Sequence, residues 1–192
     1  DHVNKPPSGG FVVSRHLMAQ NLKEPVMQNT VIKLDPAALD RPPMLTIRAA
    51  RPGDLQQILD MIALHAECHG DTAKVSAADL DRDLFGTHPW ITALIAEAGG
   101  RLIGYALLVP MYRAMEGVRG MELHQIFVRK DHRGHGIGRH LVSRAREHAR
   151  IVGCGYLSVS AATGNFGAHR FYEQMNFGAG PVTGMRYVQS LG

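Results

Sequence analysis

"IFVRKDHRGHGIGRHLVSRA", residues 126–145, joins three kinds of segment. Ile126–Val128 is apolar and strand-prone. Gly134, Gly136 and Gly138 alternate with other residues. From Ile137 onward, apolar residues recur at helical spacing among arginines and histidines. Alternating glycine suits neither a helix nor a strand, so the turn has another reason to exist. A strand that turns into a helix presents the unpaired N–H groups of the helix N-terminus, which attract phosphate. Glycine lets the backbone approach such a group without a Cβ in the way. Arg133 and Arg139 add full charge at its two edges.

Three phosphate-binding patterns compete. A Walker loop requires GxxxxGK[ST], which the chain lacks. The dinucleotide fingerprint GxGxxG begins at Gly134 and Gly136 but meets Arg139 at its third glycine, and "GYLSVS" supplies no acid for a ribose. The pattern left is Arg-x-x-Gly-x-Gly, at Arg133, Gly136 and Gly138.

Outward from the turn, the rhythm is regular from residue 45. "MLTIRAA" reads as a strand and "RPGDLQQILDMIALHAECH" as a helix with Leu55, Ile58, Leu59 and Ile62 on one face. "SAADLDRDLFG" carries a cap at Ser76 with Asp79 three residues on. "WITALIAEAGGRLIGYALLVPMY" reads as a hairpin about Gly99–Gly100, and "GMELHQIFVRK" as a further strand. "GIGRHLVSRAREHARIVG" forms a helix, "GYLSVSAAT" a strand, "NFGAHRFYEQMN" a short helix, and "FGAG…GMRYVQSL" a last strand. The order β-α-α-β-β-β-α-β-α-β implies an α+β fold: a mixed, mostly antiparallel central sheet flanked by helices on both faces, with one parallel crossover. Residues 1–44, broken by "KPPSGG" and "LDRPPM", are expected to form an N-terminal arm packed on the domain or on a partner subunit, and residues 45–192 the domain itself.

Composition narrows the classes. At 192 residues, 45% hydrophobic and 20% charged, the chain reads as one globular domain. No run reaches the roughly 20 apolar residues of a membrane helix, so no membrane partner is expected. Cys68 and Cys154 make no CxxC pair, and the eleven histidines are scattered without HExxH spacing, so no metal is expected. A reduced, cytoplasmic setting follows as the default. The net charge of +4 is concentrated at residues 129–150, where seven Lys or Arg face Asp131 and Glu147. That stretch has no interleaved aromatics, which favours a local anion site over a nucleic-acid track.

"FVRKDHRGHGIGRHL" resembles motif A of the GNAT superfamily of acetyl-CoA-dependent N-acetyltransferases. "NFGAHRFYEQMNF" resembles its motif B, in which an Asn opens a short helix and a Tyr follows. The resemblance covers about residues 45 to 190. It implies acetyl-CoA as cosubstrate, with the pyrophosphate at Arg133, Gly134, His135, Gly136, Ile137, Gly138 and Arg139. The pantetheine would lie along Ile126, Phe127 and Val128, with Asn165, Ala168 and Tyr172 completing the donor site. "DLFGTHPWITALIAE" is similar to the diamine and thialysine acetyltransferase branch. That branch usually carries two acids just before its "FV", where this chain has His124 and Gln125, a departure that weighs against a polyamine.

Acetyl transfer to an amine requires a proton acceptor for the amine, a stabilised oxyanion and a proton for the thiolate. The resemblance assigns the last role to Tyr172, whose phenol matches a thiolate in basicity. Glu122 and His124, two apart on one strand, share a face; histidine is the side chain suited to proton transfer at physiological pH, which makes His124 the candidate base. His65 and Glu67, near the connection between the first two helices, and Trp90 are candidates for acceptor contact. For Trp90 an ordinary buried anchor is the favoured reading. The expected partners are a small-molecule amine and a second copy of the chain. Peptide or protein N-acetylation, and a coenzyme A sensor without turnover, are the competing readings.

Overall fold

The computed structural model describes residues 30–33, 44–181 and 187–191. Its order is β1 (Thr30–Lys33), β2 (Met44–Ala49), α1 (Leu55–Cys68), α2 (Ala77–Phe85), β3 (Thr92–Ala98), β4 (Arg101–Arg113), β5 (Val118–Val128), α3 (Ile137–Ile151), β6 (Tyr156–Ser158) and α4 (Phe166–Gln174). The six strands form one sheet in sequence order, antiparallel except for the β5–β6 pair, which α3 connects. This is the mixed, mostly antiparallel α+β sheet that the segment order implies.

Each helix has a local cause. Ser76 Oγ accepts from the Asp79 amide and Asp79 Oδ2 accepts from the Ser76 amide, a closed capping box that starts α2. Gly99 and Gly100 hold φ of 58° and 76°, the left-handed pair that a two-residue hairpin needs between β3 and β4. The sheet buries both faces. Ile58 and Met61 of α1 and Leu80 and Leu84 of α2 pack on Ile95, Leu102, Tyr105, Leu107 and Phe127. Ile137, Leu141, Val142, Ala145 and Ala149 of α3 pack on the other side, against Leu45, Ile47, Leu94, Ile103, Met121 and Leu123. Arg48 of β2, 8% exposed, joins the start of α1 to the sheet: it meets Asp54 Oδ2 at 2.7 Å and Glu97 Oε2 at 2.7 Å.

Thr30–Lys33, within the stretch expected to be an arm with "NTVIKL" as a short strand or helix piece, is a strand paired antiparallel with β2; residues 1–29 and 34–43 lie outside the described residues. One detail differs from the sequence reading. The last strand expected across "FGAG…GMRYVQSL" is absent from residues 177–181 and 187–191, which are irregular, while 182–186 lie outside the described residues. Phe177 is engaged instead by the Arg146 guanidinium, 4.9 Å over its ring.

Candidate active site

The turn is built as the alternation demands. Gly134 and Gly136 adopt φ of 81° and 78°, and Gly136 is the N-cap of α3. An L-residue there would strain by about 1–2 kcal/mol. No side chain caps the helix, so its first amides are open to an external anion. Gly138 faces α4: a Cβ would sit 3.4 Å from the Phe171 ring. Between them lies a cavity of about 360 Å³ lined by Ile126, Val128, Arg133, the glycine turn, Arg139 and Phe171.

The two arginines also brace the turn. Arg133 Nε donates to the Val128 carbonyl at 2.9 Å, and its guanidinium lies 5.7 Å over the Phe127 ring. Arg139 reaches across to α4 and donates to Gln174 Oε1 at 2.6 Å. His135 is exposed, its Nδ1 3.4 Å from the His132 carbonyl.

Next to the turn, two strands part. β6 pairs with β5 only from Gly120 to Glu122, opposite Tyr156 to Ser158. Beyond Glu122 the edge of β5 that faced β6, from Leu123 to Val128, has no strand partner among the described residues and leads toward the turn. The pairing of β5 with β4 slips at the same point: Leu108 opposes Leu123 and Leu107 opposes Gln125, so His124 is the extra residue of a β-bulge. The bulge changes the phase of the strand. Met121 and Leu123 join the α3 core before it; after it Ile126 and Val128 pack on that core and Phe127 on the α1 side. Glu122 and His124 do come together, Oε1 to Nδ1 at 3.7 Å, with the His124 side chain 56% exposed and Glu122 28%. The imidazole therefore stands open to an incoming molecule while the carboxylate sits behind it.

On the α1 side, His65 occupies the last turn of its helix. Its Nδ1 lies 2.8 Å from Tyr105 Oη, and Tyr105 Oη donates to Gln125 Oε1 at 3.1 Å. Tyr105 is fully buried, which pushes its phenol well above the usual range. Burial, then His69 and Arg133, hold the His65 imidazole below its ordinary value and keep it neutral. Sequence reading proposed His65 but not the two residues behind it. Tyr105 looks like any apolar strand residue, and only the departure at Gln125 hinted at a role. Glu67 is exposed on the same turn of α1. Trp90 corrects the expectation of a buried anchor: it is 73% exposed, because it follows the Gly86 stop of α2 and precedes β3, outside both cores.

Motif B is placed by its cap. Asn165 Oδ1 accepts from the Ala168 amide at 3.0 Å, so both are engaged with each other in starting α4. Phe171 faces the turn, while Tyr172 packs between Phe171 and Phe177, with ring centroids 5.2 and 5.6 Å away. Burial raises the Tyr172 phenol above its ordinary value. Tyr172 lines a second cavity of about 740 Å³ that runs along β6 past Leu157, Ser158 and Val159. Among the described residues no β5 residue lines that cavity, so Tyr172 lies on the β6 side of the sheet edge.

These features fit coenzyme A: open helix amides and two arginines for a pyrophosphate, and an unpaired strand edge for an amide-bearing arm. Comparison with known proteins agrees. Residues 58–177 match the model of the acetyltransferase (GNAT) family. The chain is 32% identical over 139 residues to thialysine N-epsilon-acetyltransferase of Sus scrofa, covering 67% of this chain and 81% of that protein. It is 28% identical over 158 residues to the L-methionine sulfoximine/L-methionine sulfone acetyltransferase of Pseudomonas paraeruginosa, covering 76% and 89%. In fold it is similar to a transcriptional regulator from Bacillus halodurans, with TM-score 0.64 and 25% identity over 74% of this chain and 99% of that one. The fold is likewise similar to ribosomal-protein-alanine N-acetyltransferase from Brucella melitensis, with TM-score 0.63 and 22% identity over 75% and 99%.

Proposed function

The chain belongs to the GNAT acetyltransferase family, and from that premise we propose that it acetylates the primary amine of a small molecule by direct attack in a ternary complex with acetyl-CoA. The observation that carries this reading is the parting of β5 from β6 beside the glycine turn, with His124 bulged out where the strands separate. The relatives named for thialysine and for methionine sulfoximine support a small acceptor.

Bound acetyl-CoA supplies the acetyl group as a thioester. Gly134, Gly136, Ile137, Gly138 and the edges of Arg133 and Arg139 would hold its pyrophosphate. The backbone from Ile126 to Val128 would hold its pantetheine arm and offer an N–H to the carbonyl oxygen. His124 accepts the ammonium proton at its imidazole, and Glu122, 3.7 Å away, stabilises the cation that results. Tyr172 keeps its proton at Oη, because burial raises its pKa, and gives it to the leaving sulfur. Neither Cys68 nor Cys154 lies in a motif that would make it a nucleophile, and burial raises the Cys154 thiol. Direct attack then needs no acyl-enzyme. Residues 45–192 form the catalytic unit in this reading, and the chain acts as a homodimer, which sedimentation would read directly.

The test is thiol release from acetyl-CoA against a panel of small amines and a peptide array, run on the wild type and on Tyr172→Phe. Turnover confined to small amines is expected. Turnover confined to peptides, or none with coenzyme A bound, overturns the reading.

A further inference from the structure

The helix that carries Tyr172 is weakly anchored by its own packing. α4 has nine residues, too few to be stable alone, and none of them is fully buried. Its buried anchor is Met175, the residue that follows it, 8% exposed in the α3 core. Phe171 and Tyr172 are neighbours, so about 100° separates them around the helix axis. Phe171 lines the cavity at the glycine turn and Tyr172 the one along β6. α4 therefore stands between the two, and a small rotation about its axis moves the phenol.

The stop at the end of α4 fixes that rotation. Asn176 holds φ of 59°; its amide bonds to the Glu173 carbonyl, and the Phe177 amide bonds to the Tyr172 carbonyl. This is a Schellman motif, in which the residue after the left-handed position folds back on the helix. Here Phe177 folds back and Tyr172 is the residue it covers, ring edge to ring face at 5.6 Å between centroids. Phe171 stands 5.2 Å away on the same tyrosine. Arg146 of α3 holds the stop from outside. Its Nη2 donates to the Met175 carbonyl, one of those a helix end leaves over, and its guanidinium lies 4.9 Å over the Phe177 ring. A cation at a helix C-terminus also suits the helix dipole. Arg139, two turns earlier on α3, donates to Gln174 Oε1, but its side chain borders the glycine turn as well. Arg146 borders only the β6-side cavity of the two.

We propose that Arg146 is a positioning residue for the acid step, holding the stop of α4 so that Phe177 keeps Tyr172 Oη directed at the leaving sulfur. In the basic run from residue 129 to residue 150, Arg133 and Arg139 serve the donor, whereas Arg146 serves the acid through Met175 and Phe177. Without its guanidinium the stop loosens and the tyrosine ring gains freedom to swing. The proton is still on Oη, but it meets the sulfur less often.

This inference rests on the acetyltransferase reading with Tyr172 as the acid, and the experiment separates them. The constants kcat and KM are measured on the small-amine panel, with thialysine and L-methionine sulfone included. The proteins are wild type, Arg146→Met, Arg146→Lys, Arg150→Met, Tyr172→Phe and the double variant Arg146→Met with Tyr172→Phe. Arg146→Met is expected to lower kcat about tenfold, with the KM for acetyl-CoA and the calorimetric affinity for coenzyme A within about twofold of wild type. Arg146→Lys keeps a donor for the Met175 carbonyl and should recover about threefold of that loss. Arg150→Met removes another cation from the wall of the same cavity and should stay within about twofold of wild type. The deciding arm is the double variant. Where Tyr172 is already Phe, Arg146→Met should cost less than about twofold, because the group it positions is gone. A merely structural role would lower both backgrounds alike. Phe177→Leu, alone and with Tyr172→Phe, should reproduce the pattern and decides the matter if Arg146→Met folds poorly. Equal losses in the two backgrounds, an unmoved kcat in Arg146→Met, or an equal loss in Arg150→Met overturns the inference and leaves the acetyltransferase reading intact. Equal rates for wild type and Tyr172→Phe remove the acid and this inference with it, while transfer itself stands. Transfer to no amine overturns all three.

Discussion

At the scale of single residues, burial sets the proposed acid apart from the proposed base. Tyr172 is packed among Phe171 and Phe177 with its pKa raised, whereas His124 is more than half exposed on the bulge. Tyr172→Phe should lower kcat about a hundredfold, within the range for loss of a general acid, with the KM for acetyl-CoA within twofold. Because burial raises the phenol above its ordinary value of 10.0, its deprotonation should not limit the wild-type rate until alkaline pH beyond that value. His124→Ala should lower kcat near neutrality and lose part of that deficit at high pH, where the free amine no longer needs a base. An acid-side pH profile identical to wild type would remove His124 from the role. The Glu122–His124 pair was legible from the period of two, even though the bulge lies between Leu123 and Gln125. The His65–Tyr105–Gln125 chain was not, since nothing local distinguishes a tyrosine in "GYALL" that hydrogen-bonds from one that only packs.

At the scale of elements, the glycines decide where chain segments meet. Gly136→Ala places a Cβ at φ 78° on the uncapped start of α3 and should cost about 1–2 kcal/mol, read as a lower Tm, together with weaker coenzyme A binding. Gly120→Ala acts elsewhere: its Cβ would fall 2.1 Å from Cζ of Tyr156, inside the ring that lies on β5. That substitution should displace β6 and lower activity while leaving the turn itself intact. Retention of full activity by Gly120→Ala would show that the β5–β6 junction does not organise the site. The turn and α3 were readable because their spacing is strict and local. The length of β6 was not: "GYLSVSAAT" is uniformly strand-prone, but only Tyr156–Ser158 finds a partner before β5 turns away. The fate of "FGAG" was equally hidden, since Phe177 exchanges a place in a strand for the Arg146 guanidinium.

At the scale of the molecule, two helical layers clamp the sheet and a few buried polar groups lock them in register. Arg48→Met would leave the carboxylate of Asp54, itself 7% exposed, without its cation, and should destabilise the fold by about 3–5 kcal/mol in chemical denaturation. Two histidines add an acid sensitivity. Burial holds both His65 and His148 below the ordinary value of 6.5, so the unfolded chain takes up protons near 6.5 that the folded chain refuses. Stability should therefore be level above that pH and fall as pH drops below it, and His148→Gln should flatten part of the fall. A Tm that rises on acidification from pH 7 to 5 would contradict this. The central claim concerns the reaction, and rapid-quench mass spectrometry of the protein mixed with acetyl-CoA, with and without small amines, tests it most directly. The predicted result is an unmodified protein throughout and an acetylated amine formed in step with free thiol. An acetyl group retained on the protein, or thiol released with no acetylated amine, would contradict it.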